Sequence, residues 1–477
     1  MNGTANKGFS ILILAAGKAT RFKSERSKLL HRLAGLPLGE YVLRAAFSCG
    51  PEQCYMVVGH QADAVRKQFA RPGLTFIEQT EQLGTGHAML IARPEMERSR
   101  AADVAVLVGD APLLSADTLK NLVAAHRARR AAATILAMKL DNPHGYGRIV
   151  RGRGRRVRRI VEEKVATAAE RKIQEVSSGI LCFSRRELLD HLDGLTADNP
   201  QKEYLLTDLV EILSKRRKLV EAVIVSDPQD VVGVNDRVEL ARVERILRLR
   251  KAEALMRDGV TIVNPETTYI DSAVTVGPDT VIEPGVSLLG DTRVGRDCLI
   301  RPNCIIADSE LGDHVTVRPT SVITASSVGT GTMIGPFAHL RDGVTVGSDA
   351  RIGNFVEVKK SRVGHGSKAG HLTYLGDAEV GDRVNIGAGT VTCNYDGERK
   401  HPTHIEDGVF IGSGSMLVAP LRIGQRSYVA AGSTITEDVP QDSLALGRAR
   451  QVVKEGWVKQ RKAAKDLQKY GNKKSLA

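Results

Sequence analysis

Aromatic side chains are scarce in this 477-residue chain, which has one tryptophan, nine phenylalanines and nine tyrosines. Metal-binding cysteine patterns are lacking too: Cys49, Cys54, Cys182, Cys298, Cys304 and Cys393 are scattered without ligand spacing. Neither a zinc cluster nor a disulfide framework is expected, and the six thiols fit a reducing, cytoplasmic setting. No apolar run approaches the roughly 18 residues that a membrane-spanning helix needs. Met1 to Ser10 lack the charged-then-apolar pattern of a secretory signal. No membrane partner is expected. The net charge of +13 points to a polyanion partner until it is located. Arg448 to Ala477 hold ten Lys/Arg against two acids, and RGRGRRVRR (151–159) adds six arginines, which leaves the rest close to neutral. No basic field covers the whole chain. The basic stretches carry no interleaved series of stacking rings, so no nucleic-acid partner is expected. The tail is expected to be a solvated end and the Arg run a hairpin turn.

The second half is filled by aliphatic-glycine steps, among them Val276-Gly277, Val294-Gly295, Val328-Gly329, Ile334-Gly335, Val346-Gly347 and Ile352-Gly353. Spacings of 18 (276 to 294), 6 (328 to 334) and 12 (334 to 346) are multiples of six. They predict a parallel β-helix whose triangular coils have three six-residue faces. Spacings of 17 (294 to 311) and 11 (352 to 363) mark an imperfect register. The 25-residue gap from Ile386 to Ile411 exceeds four hexapeptides by one and holds CNYDGERKHPTH, a loop expected to leave the coil and carry function.

The first half alternates strand and helix patterns. SILILAAG (10–17), CYMVVGH (54–60) and DVAVLVGD (103–110) are short apolar runs suited to a parallel sheet covered on both faces. That order predicts a Rossmann-like α/β domain with ligands at the strand C-terminal ends. The division expected is an α/β domain at 1–235, a linker helix at 236–258, a β-helix at 259–447 and a basic tail at 448–477.

Small residues in Leu14-Ala15-Ala16-Gly17 let backbone N–H groups approach a triphosphate, with Arg21 and Lys28 to neutralise charge. Asp110, at a strand end, is a natural ligand for a divalent cation between phosphates. In the β-helix, His371, Tyr374, Asn385, Asn394 and Tyr395 crowd a region where stacking alone asks for small side chains. A free imidazole ionises near 6.5, which suits a general base that takes a proton from an amine attacking a thioester, and His371 is the candidate.

In order, LAAGKATR, Lys28, EQLGTGHAM, GDAP, GYGRI, IVEEK, SSGIL and GVN resemble the sugar-nucleotide pyrophosphorylases. With the hexapeptide half, the chain resembles the family of bifunctional N-acetylglucosamine-1-phosphate uridyltransferase/glucosamine-1-phosphate acetyltransferases. The resemblance implies a nucleotidyltransferase domain followed by a left-handed parallel β-helix. It implies that Leu14, Ala15, Ala16, Gly17, Gln79, Gly84 and Thr85 hold UTP, and that Gly147, Glu162 and Ser177 surround the sugar. Asp110 and Asn235 would ligate Mg²⁺, with Arg21 and Lys28 assisting catalysis. In the second site His371 would be the base. Arg341 and Lys359 would take the substrate phosphate, and Tyr374 and Asn385 its sugar. Asn394 and Tyr395 would lie by the reacting centre, with Ala388, Ser413, Ala431 and Arg448 along acetyl-CoA. The same family resemblance implies a homotrimer completed by its tail, with Trp457 as an anchor. It also implies small-molecule substrates and a place in supplying cell-wall and lipopolysaccharide precursors.

The family has Gly where this chain has Ala19, Tyr at Val108 and Asn at Ser177. Ser177 is the most consequential, because a hydroxyl reaches less far than an amide; a weaker sugar KM or a bridging water is expected. Two alternatives stand beside the bifunctional reading. One is a single-activity sugar-1-phosphate nucleotidyltransferase whose β-helix is only an oligomerisation stem. The other is a non-catalytic scaffold of the same architecture.

Overall fold

The computed structural model describes residues 8–152, 154 and 156–471, with side chains up to residue 467. Arg153 and Arg155 of the Arg-rich stretch and 472–477 of the tail lie outside the described residues. The chain divides into two compact units, 1–257 with 269–274, and 258–268 with 275–477. The helix expected at 236–258 runs Arg237–Arg257 and is grouped with the first unit.

Nine strands form the sheet of the first unit: β1 Phe9–Ala15, β2 Gln53–Val58, β3 Leu74–Glu78, β4 Asp103–Val108, β5 Ala133–Lys139, β6 Arg148–Arg151, β7 Val157–Val161, β8 Glu175–Ser184 and β9 Val220–Ile224. Their order is β9-β5-β8-β4-β1-β2-β3, with β6 paired to β8 and β7. β1 runs parallel to β2 and β4, as the apolar runs predict. β8 is antiparallel to both β4 and β5, which the sequence pattern does not anticipate. Successive side chains of β1 go to opposite faces: Ile11 and Ile13 join one buried cluster and Leu12 the other. Helices cover both. Leu38, Val42, Val65, Phe69, Leu119 and Leu122 pack on the first face, and Met89, Met96, Leu188, Leu209 and Leu213 on the second. Burying each such side chain contributes about 1.5–3 kcal/mol before conformational entropy is charged against it. Arg151, Arg158 and Arg159 of the Arg-rich stretch lie on the antiparallel β6 and β7; the turn expected between them includes Arg153 and Arg155, outside the described residues.

The second unit is a left-handed parallel β-helix with three sheets of eleven, ten and nine short strands. Its coils step by 18 residues (Val276 to Val294) or 17 (Val294 to Leu311), so the irregular spacings are coils one residue short. Aliphatic-glycine steps supply two faces. The third face buries Leu288, Ile306, Ile323, Leu340, Val358, Leu375, Leu417 and Ile435. Thr392 is the polar member of that column; its Oγ1 accepts the Gly376 N–H (2.8 Å) and donates to Gly376 O (3.1 Å). The gap from Ile386 to Ile411 is a single coil with a loop between Cys393 and Thr403, since Ile386 pairs directly with Ile411. A last helix, Trp457–Gly471, ends the described chain. Among the described residues no helix is long and apolar enough to cross a membrane.

Candidate functional site

Each unit brings expected residues together, in two adjoining clusters in the first. In the first, a cavity of about 490 Å³ opens where β1 and β4 end. Leu14 and Ala15 line it from the end of β1, and Ala16, Gly17 and Lys28 from the segment that follows. Gln79, Gly84 and Thr85 line it from the segment between β3 and the following helix, and Asp110 lies just beyond β4. A Cβ on Gly17 would meet nothing within 4 Å, so the backbone there is open to a ligand. Gly84 is different: at φ 105° a Cβ would stand 2.5 Å from Tyr204 O, and only glycine fits. Gln79 is buried, its Nε2 donating to Gly84 O (3.1 Å) and meeting His87 Nδ1 (3.1 Å).

Two cations of the loop already hold the two expected metal ligands. Lys28 Nζ is ion-paired with Asp110, and Arg21 Nη2 donates to Asn235 Oδ1 (2.9 Å). The Val234 N–H donates to Asp110 O (2.9 Å), which draws the loop carrying Asn235 to the end of β4. Among the described residues no group of three His, Cys, Asp or Glu could enclose a metal. One carboxylate and one amide oxygen suit a hard cation that completes its shell with phosphate and water.

Gly147, just before β6, Glu162, in the turn after β7, and Ser177, on β8, are brought together. The Ser177 N–H donates to Gly147 O (2.8 Å), and a Cβ on Gly147 would stand 3.5 Å from either Glu162 oxygen. Ser177 Oγ accepts the Gly179 N–H (3.2 Å) and is buried. Val108 lines the cavity and packs beneath Gly179, linking the two clusters. Three residues here were given no role in the sequence reading, although Arg148 lies within GYGRI. Thr207 Oγ1 donates to Glu162 Oε1 (3.1 Å). Burial, then the Glu162 and Glu211 charges, push the Asp208 carboxyl up. The buried Arg148 pairs with Glu163 (2.6 Å) and bonds Tyr146 O, bracing the hairpin.

In the β-helix, one corner of successive coils stacks Pro319, Pro336, Asn354, His371, Ala388, Ser413 and Ala431. His371 therefore stands where rigid prolines give way to small side chains. The next residue in each coil has positive φ, and it changes from Phe337, Phe355 and Leu372 below to Gly389, Gly414 and Gly432 above. The upper corner is thus bare backbone. Arg448 follows Gly447, whose N–H donates to Ser433 Oγ (3.2 Å), so the chain passes that corner close to Ala431.

On the next face Arg341 and Lys359 are register neighbours, as are Glu357 and Tyr374. Arg341 pairs with Glu357 (2.7 Å) and Asp342 (3.1 Å), and Lys359 lies 3.8 Å from Asp342. Lys400, on the protruding loop, meets Lys359 and, with burial and Arg341, pulls its ammonium below the usual lysine range. Three cations so placed are relieved by an anion; Lys400 was missed because only the loop's fold brings it there. Asn394 is buried, with Nδ2 donating to Asp377 Oδ2 (2.5 Å), while Tyr395 is exposed beside it. A Cβ on Gly376 would collide with both the Tyr374 hydroxyl and Asn394 Nδ2, so that glycine leaves room for both. Asn385 lies on the adjoining face above Lys368, and no hydrogen bond ties it to Arg341, Lys359 or Tyr374 among the described residues. Trp457 is half exposed, with Arg461 over its ring (4.9 Å), and is not packed into a core.

Comparison with known proteins agrees with both halves. The MobA-like NTP transferase domain matches residues 11–217, the GMPPB C-terminal domain 264–363, and the bacterial transferase hexapeptide (six repeats) 402–437. The bifunctional protein GlmU of Koribacter versatilis is 49% identical over 470 residues, covering 98% of this chain and 100% of that protein. The bifunctional protein GlmU of Trichlorobacter lovleyi is 50% identical over 447 residues, covering 94% and 97%. That of Geobacter metallireducens is 50% identical over 469 residues, covering 94% and 98%.

Proposed function

We infer the function from one premise: the chain belongs to the family of the bifunctional protein GlmU. It is an enzyme with two transferase activities, a uridyltransferase in the α/β unit and a glucosamine-1-phosphate acetyltransferase in the β-helix. Together they make UDP-N-acetylglucosamine, a precursor for the cell wall. The observation that carries this reading is near-50% identity along almost the whole length of both chains. A β-helix kept only as a stem has no need of His371, Asn394, Tyr395 and the Arg341–Lys359–Lys400 cations.

The residue roles are our proposal. In the β-helix the amine of glucosamine-1-phosphate attacks the thioester carbonyl of acetyl-CoA. His371 Nε2 receives the amine proton, the C–S bond breaks, and CoA thiolate leaves. Arg341 and Lys359 hold the sugar phosphate, helped by Lys400, and Tyr374 and Asn385 hold the sugar. Asn394 and Tyr395 lie beside the reacting carbonyl. Ala388, Ser413, Ala431 and the bare glycine corner accept the CoA arm, with Arg448 on its phosphates.

In the α/β unit Leu14, Ala15, Ala16, Gly17, Gln79, Gly84 and Thr85 seat UTP, and Gly147, Glu162 and Ser177 seat N-acetylglucosamine-1-phosphate. A phosphate oxygen of the sugar attacks the α-phosphorus of UTP, the bond to the β-phosphate oxygen breaks, and pyrophosphate leaves. Catalysis is positioning plus charge neutralisation, with Arg21 and Lys28 moving from Asn235 and Asp110 onto phosphate oxygens. Asp110 and Asn235 would then hold Mg²⁺, which when bound supplies further charge neutralisation at the phosphates.

We also propose a cytoplasmic homotrimer. The free thiols and the exposed Phe337–Phe355 pair, whose rings stack at 5.2 Å, support it. The test is a pair of assays: CoA release from acetyl-CoA with glucosamine-1-phosphate, and pyrophosphate release from UTP, Mg²⁺ and N-acetylglucosamine-1-phosphate. Asp110→Asn is expected to abolish only pyrophosphate release, and His371→Ala only CoA release. Parallel loss of both activities in either folded variant would refute separate sites.

A further inference from the structure

His371 has one polar neighbour in its corner column. Pro336 stands two coils below it, Asn354 one coil below, and Ala388 one above. Proline and alanine side chains can hold nothing by a hydrogen bond, whereas Asn354 Oδ1 meets His371 Nδ1 directly. An amide oxygen carries no proton, so the proton of this contact belongs to Nδ1. A neutral imidazole protonated at Nδ1 has its free lone pair on Nε2. The backbone is fixed at the same place: Thr373 Oγ1 donates to His371 O (2.8 Å), and the Leu372 N–H donates to Asn354 O (3.0 Å). Among the described residues no carboxylate pairs with the ring. The charged side chains on the two stacked strands are Arg351 and Lys368, at the far end of each from Asn354 and His371.

We propose that Asn354 is a positioning residue for acetyl transfer, holding His371 in the Nδ1–H tautomer with Nε2 turned to the attacking amine. The inference rests on His371 being the base, as read above, and goes beyond it by naming what orients that base.

The experiment compares Asn354→Leu, Asn354→Asp and His371→Ala with the unaltered full-length enzyme, following CoA release across pH. Leucine removes the acceptor, so kcat is expected to fall at least about tenfold, part of the 10²–10⁴ that a general base supplies, with KM changed less. Aspartate still accepts from Nδ1 but favours the imidazolium. Its kcat should recover, with the acid limb of the pH profile moved about one unit higher because the base must lose its proton to act. A leucine variant with unaltered kcat, or an aspartate variant whose acid limb stays in place, overturns the proposal. His371→Ala separates the two claims: if it keeps CoA release, the reading of His371 as base fails. Pyrophosphate release and light scattering on the same samples verify that each variant is folded and assembled.

Discussion

Ser177 sits where β6 and β8 meet, its Oγ accepting from Gly179 and its N–H bonded to Gly147. The hydroxyl is committed to its own turn, and a longer amide would have reach to spare. Ser177→Asn is expected to lower the KM for N-acetylglucosamine-1-phosphate severalfold and leave the KM for UTP in place; an unchanged sugar KM would show that Ser177 is no handicap. Ala19 is the other informative departure. Its φ of 47° and ψ of 49° are left-handed, where a Cβ costs about 1–2 kcal/mol. Glycine removes that strain but gains about 0.5–1 kcal/mol of freedom in the unfolded chain. Ala19→Gly should therefore shift stability by no more than about 1 kcal/mol in urea titrations; a larger loss would mean that the methyl group packs tightly.

The loop between Cys393 and Thr403 is ordered by one carboxylate. Asp396 Oδ1 accepts the N–H groups of Glu398 (2.8 Å) and Arg399 (2.7 Å), and Oδ2 meets His401 Nε2 (2.7 Å). The Arg399 N–H, then His401, hold this carboxyl far below the usual range. A depressed folded pKa means that its contribution is fully present above the unfolded value near 4 and is lost only as pH falls through the folded one. The loop should thus keep this carboxylate anchor at neutral pH and lose it only in strong acid. Asp396→Ala, by loosening the segment that carries Asn394, Tyr395 and Lys400, is expected to cut acetyl transfer by about 10- to 100-fold and spare uridyl transfer. Equal rates in variant and parent would mean that the loop is held by something else.

At the scale of the whole molecule, the corner of Phe337, Phe355 and Leu372 asks for a partner. Each has positive φ, a costly conformation for a bulky side chain, and each leaves about half or more of its surface exposed (49%, 55% and 61%). A second copy of the chain packed there would recover that cost by burial. Phe355→Asp suits the left-handed turn and removes the apolar contact. It is expected to shift the assembly towards monomer in light scattering, with loss of acetyl transfer and retention of uridyl transfer. A variant of unaltered size would exclude this corner as the interface.

Local chemistry and period made much of this protein legible before folding. The aliphatic-glycine period dictates a β-helix because each coil must hide an apolar edge against the next. The apolar runs ending at Ala15 and Val108 dictate strands whose ends border the cavity. Tertiary structure alone decided which distant residues share a site. Lys400 reaches Lys359 only because the coil is interrupted, and Arg148 braces the β6–β7 hairpin only because β6 pairs with both β7 and β8. Asn354 lies under His371 only because the coils between them step by 17 residues. A neighbour set by stacking is distant in sequence and leaves no local pattern; only the register of the folded coils brings it within bonding distance.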